Sequence, residues 1–402
     1  MSLSAASKEV IIATLPAVGG AIGDITPLFY KKLFAAHPEL ERDLFNRGNQ
    51  KQGEQQKALA GAVAAYATML VGDNPHATDA IMSRIANKHA SLGITADSYP
   101  IVHTHLFAAI VEVLGEAVTP EVASAWDEVY WLMANALIAA EHKLYADSGV
   151  EDGQVWREVT VARKVTQSPE TVSFVLASPT GEPLPKHLPG QYISVAVNLP
   201  DGARQIRQYS LVGAPGAAEW QITVKAVPSL AAAPAGEVSN FLHANVVEGD
   251  TLQVSLPFGD LVLEEGDAPL LLISAGIGCT PMIGMLNHLA ETGAERNVSV
   301  LHADRSPDHH AHRAELSELV ERIPSATMHR WYEDLADLTE QDTLHLGRTD
   351  LSKIEIADGT RVYLCGPLPF MHSIRDTLID RQVPADSIRY EVFGPDSWAP
   401  VG

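Results

Sequence analysis

The sequence predicts a multidomain chain: an all-α domain, then an antiparallel β domain, then an α/β domain built on a parallel sheet. Three observations carry this. Apolar residues recur at helical spacing through residue 148, short alternating β-branched runs fill 152–263, and from 266 onward apolar strands alternate with amphipathic helices. At 402 residues the chain is also too long for one ordinary core. The expected domains are therefore 1–148, 152–263 and 266–402.

In the first domain, Thr26-Pro27, Thr78 and Thr119-Pro120 read as helix N-caps, two of them followed by proline at the first helical position. The run "VIIATLPAVGGAIG" has the apolarity of a signal-peptide core. However, Glu9 offsets Lys8 and Pro16 interrupts the run, so it reads as a buried helix. After "YADSGVEDGQ" the period shortens: "EVTVARKV", "TVSFVLAS", "QYISVAVNL", "RQYSLVG", "WQITVKAV" and "TLQVSLPFG" are short strands of an antiparallel barrel or sandwich. In the third domain "LLLIS", "VSVLHAD" and "RVYLCG" each precede a helical stretch, the signature of crossover connections. The uncharged run 268–286 is long enough to span a bilayer but contains glycines, proline, serine and threonine. It reads as strand, turn and helix start.

Composition excludes several functions. The net charge is −22, with 10 basic and 16 acidic residues in 1–148 and 18 and 34 in 149–402. Such a surface repels phosphate backbones and anionic lipid, so no nucleic-acid partner and no membrane attachment are expected. Cys279 and Cys365 are the only cysteines, too few for a disulfide framework or an iron–sulfur cluster, and a reducing, cytoplasmic setting fits.

Two residues in the helical domain lie on unexpected faces. Ile81, Ile85 and His89 are four residues apart, which turns the histidine inward; a core histidine bonded to backbone is the ordinary explanation. Trp126, Tyr130, Met133, Leu137, Glu141 and Leu144 form one stripe, which puts a carboxylate among apolar side chains. A buried carboxylate needs a donor, and Tyr99 is one candidate; an exposed stripe-edge glutamate is the alternative.

The segments "PLFYKKLF", "LFNRGNQKQGEQQKAL", "IANKHASLGI" and "AWDEVYWLMANALIAAEHKLY" resemble the globin half of flavohaemoglobins, and the resemblance continues through the whole chain. It implies a globin fold holding haem b, with His89 as proximal iron ligand, Tyr30 and Gln55 on the distal side, Leu59 one turn beyond Gln55, and Phe45 against the porphyrin. It also implies a hydrogen-bonded network of His89, Tyr99 and Glu141, in which the carboxylate makes the imidazole a stronger donor to iron. Tyr30 would donate a hydrogen bond to bound O2.

In the second half, "RQYS" (207–210) closes a strand, and "GEVSNFL" about 30 residues later puts Gly236, Ser239 and Asn240 at a helix start that favours a diphosphate. The pair resembles the FAD site of ferredoxin-reductase-like proteins. By that resemblance Arg207 faces the phosphates, Gln208 lies within the motif, Tyr209 stacks beside the isoalloxazine and Ser210 bonds near its reactive nitrogen. Tyr192 and the segment Val392, Phe393, Gly394, Pro395 also contact the cofactor.

"SAGIGCTPM" follows an apolar strand and precedes a helix, and "CGP" follows another. Together they resemble the NAD(P) site of the same reductases, with Gly276, Ile277, Gly278, Cys279, Thr280, Pro281, Cys365, Gly366 and Pro367 as contacts. Three features depart from the family pattern. Cys279 is a thiol that would make hydride transfer sensitive to oxidation, "VPSLAAAPAG" lengthens the connection before the diphosphate helix, and Val392 stands where many relatives have cysteine. Asp304 and Arg305 argue in opposite directions on NADH against NADPH.

The resemblance names the activity as nitric oxide dioxygenation, NO and O2 going to nitrate at a haem re-reduced by NAD(P)H through FAD. No obligatory protein partner is expected. The competing functions are an O2- or NO-sensing haem protein with a maintenance reductase, and a haem-dependent hydroperoxide reductase.

Overall fold

Seven helices form where residues 5–147 keep the 3.6-residue period: α1 (Ala5–Ala36), α2 (Pro38–Asp43), α3 (Arg47–Gln52), α4 (Glu54–Val71), α5 (Asp79–Leu92), α6 (Ser98–Leu114) and α7 (Pro120–Asp147). They are seen in a computed structural model that describes residues 2–74, 76, 78–229 and 234–394. Thr119 caps α7 as expected, its hydroxyl accepting from the Val122 N–H at 3.4 Å with Pro120 in the first turn. Thr78 precedes α5 without a side-chain cap.

The expected cap at Thr26-Pro27 is wrong, because α1 runs unbroken through both Pro16 and Pro27. An interior proline costs about 3 kcal/mol. Against that, Ile11, Val18, Ile25, Phe29 and Leu33 are all buried in the helical core, each worth about 1.5–3 kcal/mol. Burial wins, and the Thr26 hydroxyl donates back to the Ile22 carbonyl at 3.0 Å instead of capping. By length and apolarity α1 could cross a membrane, but its apolar stripe is part of the globular core.

The second region is an antiparallel sheet of β1 (Trp156–Ser168), β2 (Thr171–Ala177), β3 (Tyr192–Asn198), β4 (Arg204–Ser210), β5 (Trp220–Lys225) and β6 (Thr251–Ser255), in the order β4-β3-β6-β1-β2-β5. The Leu211–Ile222 bridge and the Val212 N–H to Gln221 carbonyl bond (3.0 Å) join the ends, which makes it a barrel and not a sandwich. Val238 and Leu242 of α8 (Glu237–Asn245) enter the barrel core.

The third region has β7 (Leu270–Ala275), α9 (Cys279–Thr292), β8 (Val298–Asp304), α10 (Arg313–Arg322), β9 (Ala326–Tyr332), β10 (Leu344–Leu346), β11 (Arg361–Cys365), α11 (Leu368–Asp380) and β12 (Ile388–Glu391). The strands are parallel in the order β10-β9-β8-β7-β11-β12. The strand order reverses between β7 and β11, so a crevice for a ligand opens beyond their carboxyl ends.

Candidate active site

The buried stripe of α7 meets α5 at His89. Its Nδ1 lies 2.8 Å from Glu141 Oε1 and 3.2 Å from the Tyr99 hydroxyl, which itself donates to the same Oε1 at 2.6 Å. Glu141 is 2% exposed; both donors go to Oε1, and Oε2 is buried with no partner among the described residues. Burial first, and then the Glu141 charge, push the Tyr99 hydroxyl well above its ordinary pKa, so it remains a donor. Since the Tyr99 proton goes to Glu141, the His89 proton sits on Nδ1 and the lone pair on Nε2. Nε2 has no protein partner among the described residues, and the side chain is 33% exposed, which leaves room for an incoming atom. An imidazole fixed in this way, with Nε2 facing open space, fits a haem iron.

Tyr30 is 6% exposed, with its ring edge-on to Phe45 at 5.8 Å, and Phe45 and Leu59 pack on the same core. Burial pushes the Tyr30 hydroxyl up. Gln50, a residue the sequence reading missed, donates through Nε2 to Gln55 Oε1 at 3.0 Å. The two glutamines converge because Asn46 caps α3, accepting from Gly48 and Asn49 N–H, and left-handed Gly53 ends it.

On the barrel, Tyr192 pairs with Ser210 across β3 and β4; both are buried, and the Ser210 hydroxyl has no partner among the described residues. A buried, unanswered hydroxyl beside Tyr209 fits a heteroaromatic ring with acceptor nitrogens. Gly236 leaves the first turn of α8 without a side-chain cap, so its N–H groups can face an anion. Ser239 and Asn240 instead fasten the preceding loop, Asn240 Nδ2 donating to the Val227 and Gly236 carbonyls at 2.7 and 2.8 Å. Residues 230–233 of the long connection lie outside the described residues. Arg207 donates to Asn46 Oδ1 at 2.7 Å, an inter-domain contact.

Gln208 joins the two clusters. It accepts from Lys88, the neighbour of His89, and donates to Ser194 Oγ at 2.8 Å, which in turn donates to Ser91 Oγ at 2.9 Å. Burial lowers the Lys88 ammonium pKa to about 8, opposed by the Glu391 carboxylate. Neither Lys88 nor Glu391 stood out in the sequence, because their partners come from other domains.

A cavity of about 500 Å³ occupies the crevice beyond β7 and β11. It is lined by Gly276, Ile277, Gly278, Gly366, Pro367, Val392, Phe393 and Gly394, together with Lys225 of the barrel and Asn49 of the helical domain. Pro395 lies outside the described residues. A Cβ on Gly278 would come within 2.4 Å of the Cys365 carbonyl oxygen, so glycine is what lets the two loops touch. Cys279, Thr280 and Pro281 sit behind the loop, buried in the first turn of α9. The expectation of an oxidation-sensitive Cys279 fails: Cys279 and Cys365 are 0% exposed, and burial pushes both thiols up and keeps them protonated. Arg305 is engaged by Glu170 at 2.5 Å, while burial and the opposing pull of His302 act on Asp304.

Three family models match the chain: Globin over residues 28–137, Oxidoreductase FAD-binding domain over 158–262 and Oxidoreductase NAD-binding domain over 272–376. The flavohemoprotein of Chromobacterium violaceum is 42% identical over 401 residues, covering 98% of each chain. That of Rhizobium meliloti is 39% identical over 406 residues, covering 99% of this chain and 100% of the other. The crystal structure of flavohemoglobin from Malassezia yamatoensis with bound FAD and heme has a TM-score of 0.88 at 35% identity, covering 98% of this chain and 100% of that one. The flavohem-like FAD/NAD-binding domain of nitric oxide dioxygenase from Vibrio cholerae matches 60% of this chain and 100% of its own length, with a TM-score of 0.56 at 34% identity.

Proposed function

This chain belongs to the flavohemoprotein family, a globin joined to an FAD- and NAD-binding oxidoreductase, and on that premise we propose that it is a nitric oxide dioxygenase, turning NO and O2 into nitrate at the expense of NAD(P)H. When bound, haem supplies the iron that takes the diatomic ligand, NAD(P)H supplies a hydride, and FAD releases that hydride's electron pair as single electrons.

The observation that carries the reading is the continuity of α5: His89 offers Nε2 on one side, and Lys88 reaches the flavin strand at Gln208 on the other. A globin that only stored its ligand has no use for such a link to a reductase. Within the site, Glu141 holds the His89 Nδ1 proton and fixes the tautomer. Tyr30, kept a phenol by burial, would donate to a diatomic ligand from the apolar wall made by Phe45 and Leu59. Arg207 and the uncapped first turn of α8 would hold the flavin phosphates, Tyr192, Tyr209 and Ser210 its ring, and the loops at 276–278 and 365–367 would seat the nicotinamide nucleotide. Because the electron donor is part of the same polypeptide, no separate reductase is required. The name carried by the Vibrio cholerae relative supports the same activity.

One observation favours a second reading: a carboxylate held on the His89 Nδ1 proton would also suit a hydroperoxide reductase. NADH oxidation by the aerobic holoprotein separates them. A dioxygenase consumes NADH rapidly when NO is added and forms nitrate; a hydroperoxide reductase responds to alkyl hydroperoxide instead, and a sensor responds to neither. In Tyr30→Phe, O2 release should speed up about fivefold, the size of one lost hydrogen bond, while flavin reduction by NADH is unchanged. Equal loss of both would refute the assignment of Tyr30.

A further inference from the structure

The distal wall of the globin is held from outside the globin. Gln205 of β4 is fully buried and uses both N–H groups of its amide on helical-domain carbonyls, donating to Arg42 at 3.0 Å and Phe45 at 3.1 Å. Its Oε1 accepts from Arg207 at 3.4 Å. The next residues of the same segment are tied in the same direction. Asn46 receives Arg207, and Arg47 donates to Asp201 at 2.7 Å and to Glu237, the first residue of α8, at 2.9 Å. The segment so gripped places the Phe45 ring edge-on against Tyr30, 5.8 Å between centroids.

From this we infer that Gln205, a barrel residue, is a positioning residue for the distal ligand pocket. The inference rests on the reading of Tyr30 as the donor to the haem ligand. The physical reason is the directionality of the contacts. One carbonyl belongs to the last turn of α2 and the other to the turn that follows it, and a single rigid amide answers both, so it determines where the Phe45 backbone sits relative to β4. A barrel side chain therefore sets the place of the ring that packs on Tyr30 without touching Tyr30 itself.

The test uses the full-length holoprotein with haem and FAD. Gln205→Met keeps size and apolar packing but removes both donors; Arg47→Ala releases the same segment at its ion pairs and serves where the first variant fails to fold. Two readouts are taken on the ferrous protein: the infrared stretching band of bound CO, which reports hydrogen bonding around the ligand, and the rate of O2 release on mixing with CO. Both variants should shift the CO band toward that of Tyr30→Phe and raise O2 release about threefold or more, part of one hydrogen bond's worth, with flavin reduction by NADH unchanged in Gln205→Met. A residue that merely stabilises the domain junction would lower the melting temperature and leave both ligand readouts alone, and that result overturns the inference. A wild-type chain that takes up no haem overturns the proposed function as well, so the two failures are told apart by the wild type itself.

Discussion

Replacing Gly278 by alanine tests the seat of the nucleotide. Its backbone has φ −63° and ψ −2°, which alanine adopts without strain, so any effect comes from the added methyl. That methyl would lie 2.4 Å from the Cys365 carbonyl oxygen, 2.6 Å from its carbon and 2.7 Å from the Gly366 nitrogen. Ordinary contact begins at 3.4 Å, and all three neighbours are backbone, so no rotamer change relieves the clash. The loops at the ends of β7 and β11 must part by about 1 Å, and a misplacement of about that size at a reacting centre costs on the order of 10²-fold in rate. Anaerobic stopped-flow reduction of the flavin by NADH should fall by about that factor, with haem content, FAD content and the CO spectrum of the globin unchanged. Wild-type flavin reduction in Gly278→Ala would show that these two loops do not hold the nicotinamide nucleotide.

In Glu141→Gln the acceptor for His89 and Tyr99 remains but the charge is lost, and a charge-assisted hydrogen bond is about twice as strong as a neutral one. The iron–histidine stretching band of the ferrous protein should therefore move to lower frequency; an unmoved band would remove Glu141 from the proximal network. Both thiols are buried with their pKa raised, so at pH 8 a thiol reagent should find no reactive cysteine in the native protein and two after unfolding. One fast-reacting thiol in the folded state would contradict the burial. Pro27→Ala restores an N–H in the middle of α1, recovering about 3 kcal/mol of proline penalty less up to about 1 kcal/mol of unfolded-state entropy. The thermal transition of the haem domain should rise, and a fall would mean the proline is structurally required.

What the sequence disclosed depended on how local each cause is. The helical stripe of α7, the strand–helix alternation of the third domain and the N-cap at Thr119 are written in neighbouring residues, and the structure contains all three. The choice between barrel and sandwich was not local, since closure depends on Leu211 meeting Ile222 from another strand. Thr26-Pro27 misled because a local stop signal was outweighed by burial along the whole of α1. At the candidate site, His89 and Glu141 were visible as polar residues on apolar faces. Lys88, Gln205 and Arg47 were not, because each looks like a solvated side chain until a partner from a distant stretch of chain covers it, and Gln50 was not because its partner Gln55 meets it only across the turn between α3 and α4. The oxidation-sensitive Cys279 failed for the converse reason: a residue inside a cofactor-binding motif need not face the cofactor.

The helix that carries His89 also fixes where the two halves of the molecule lie. Lys88 and Ser91 grip β4 and β3, and Asn87 Oδ1 accepts the Gly259 N–H at 2.9 Å. The connection after α7 is gripped as well, Val155 being fully buried and Gly153 set close against Thr95, so the junction is packed on both sides of it. A one-residue change of register in α5 would break the Asn87, Lys88 and Ser91 contacts together.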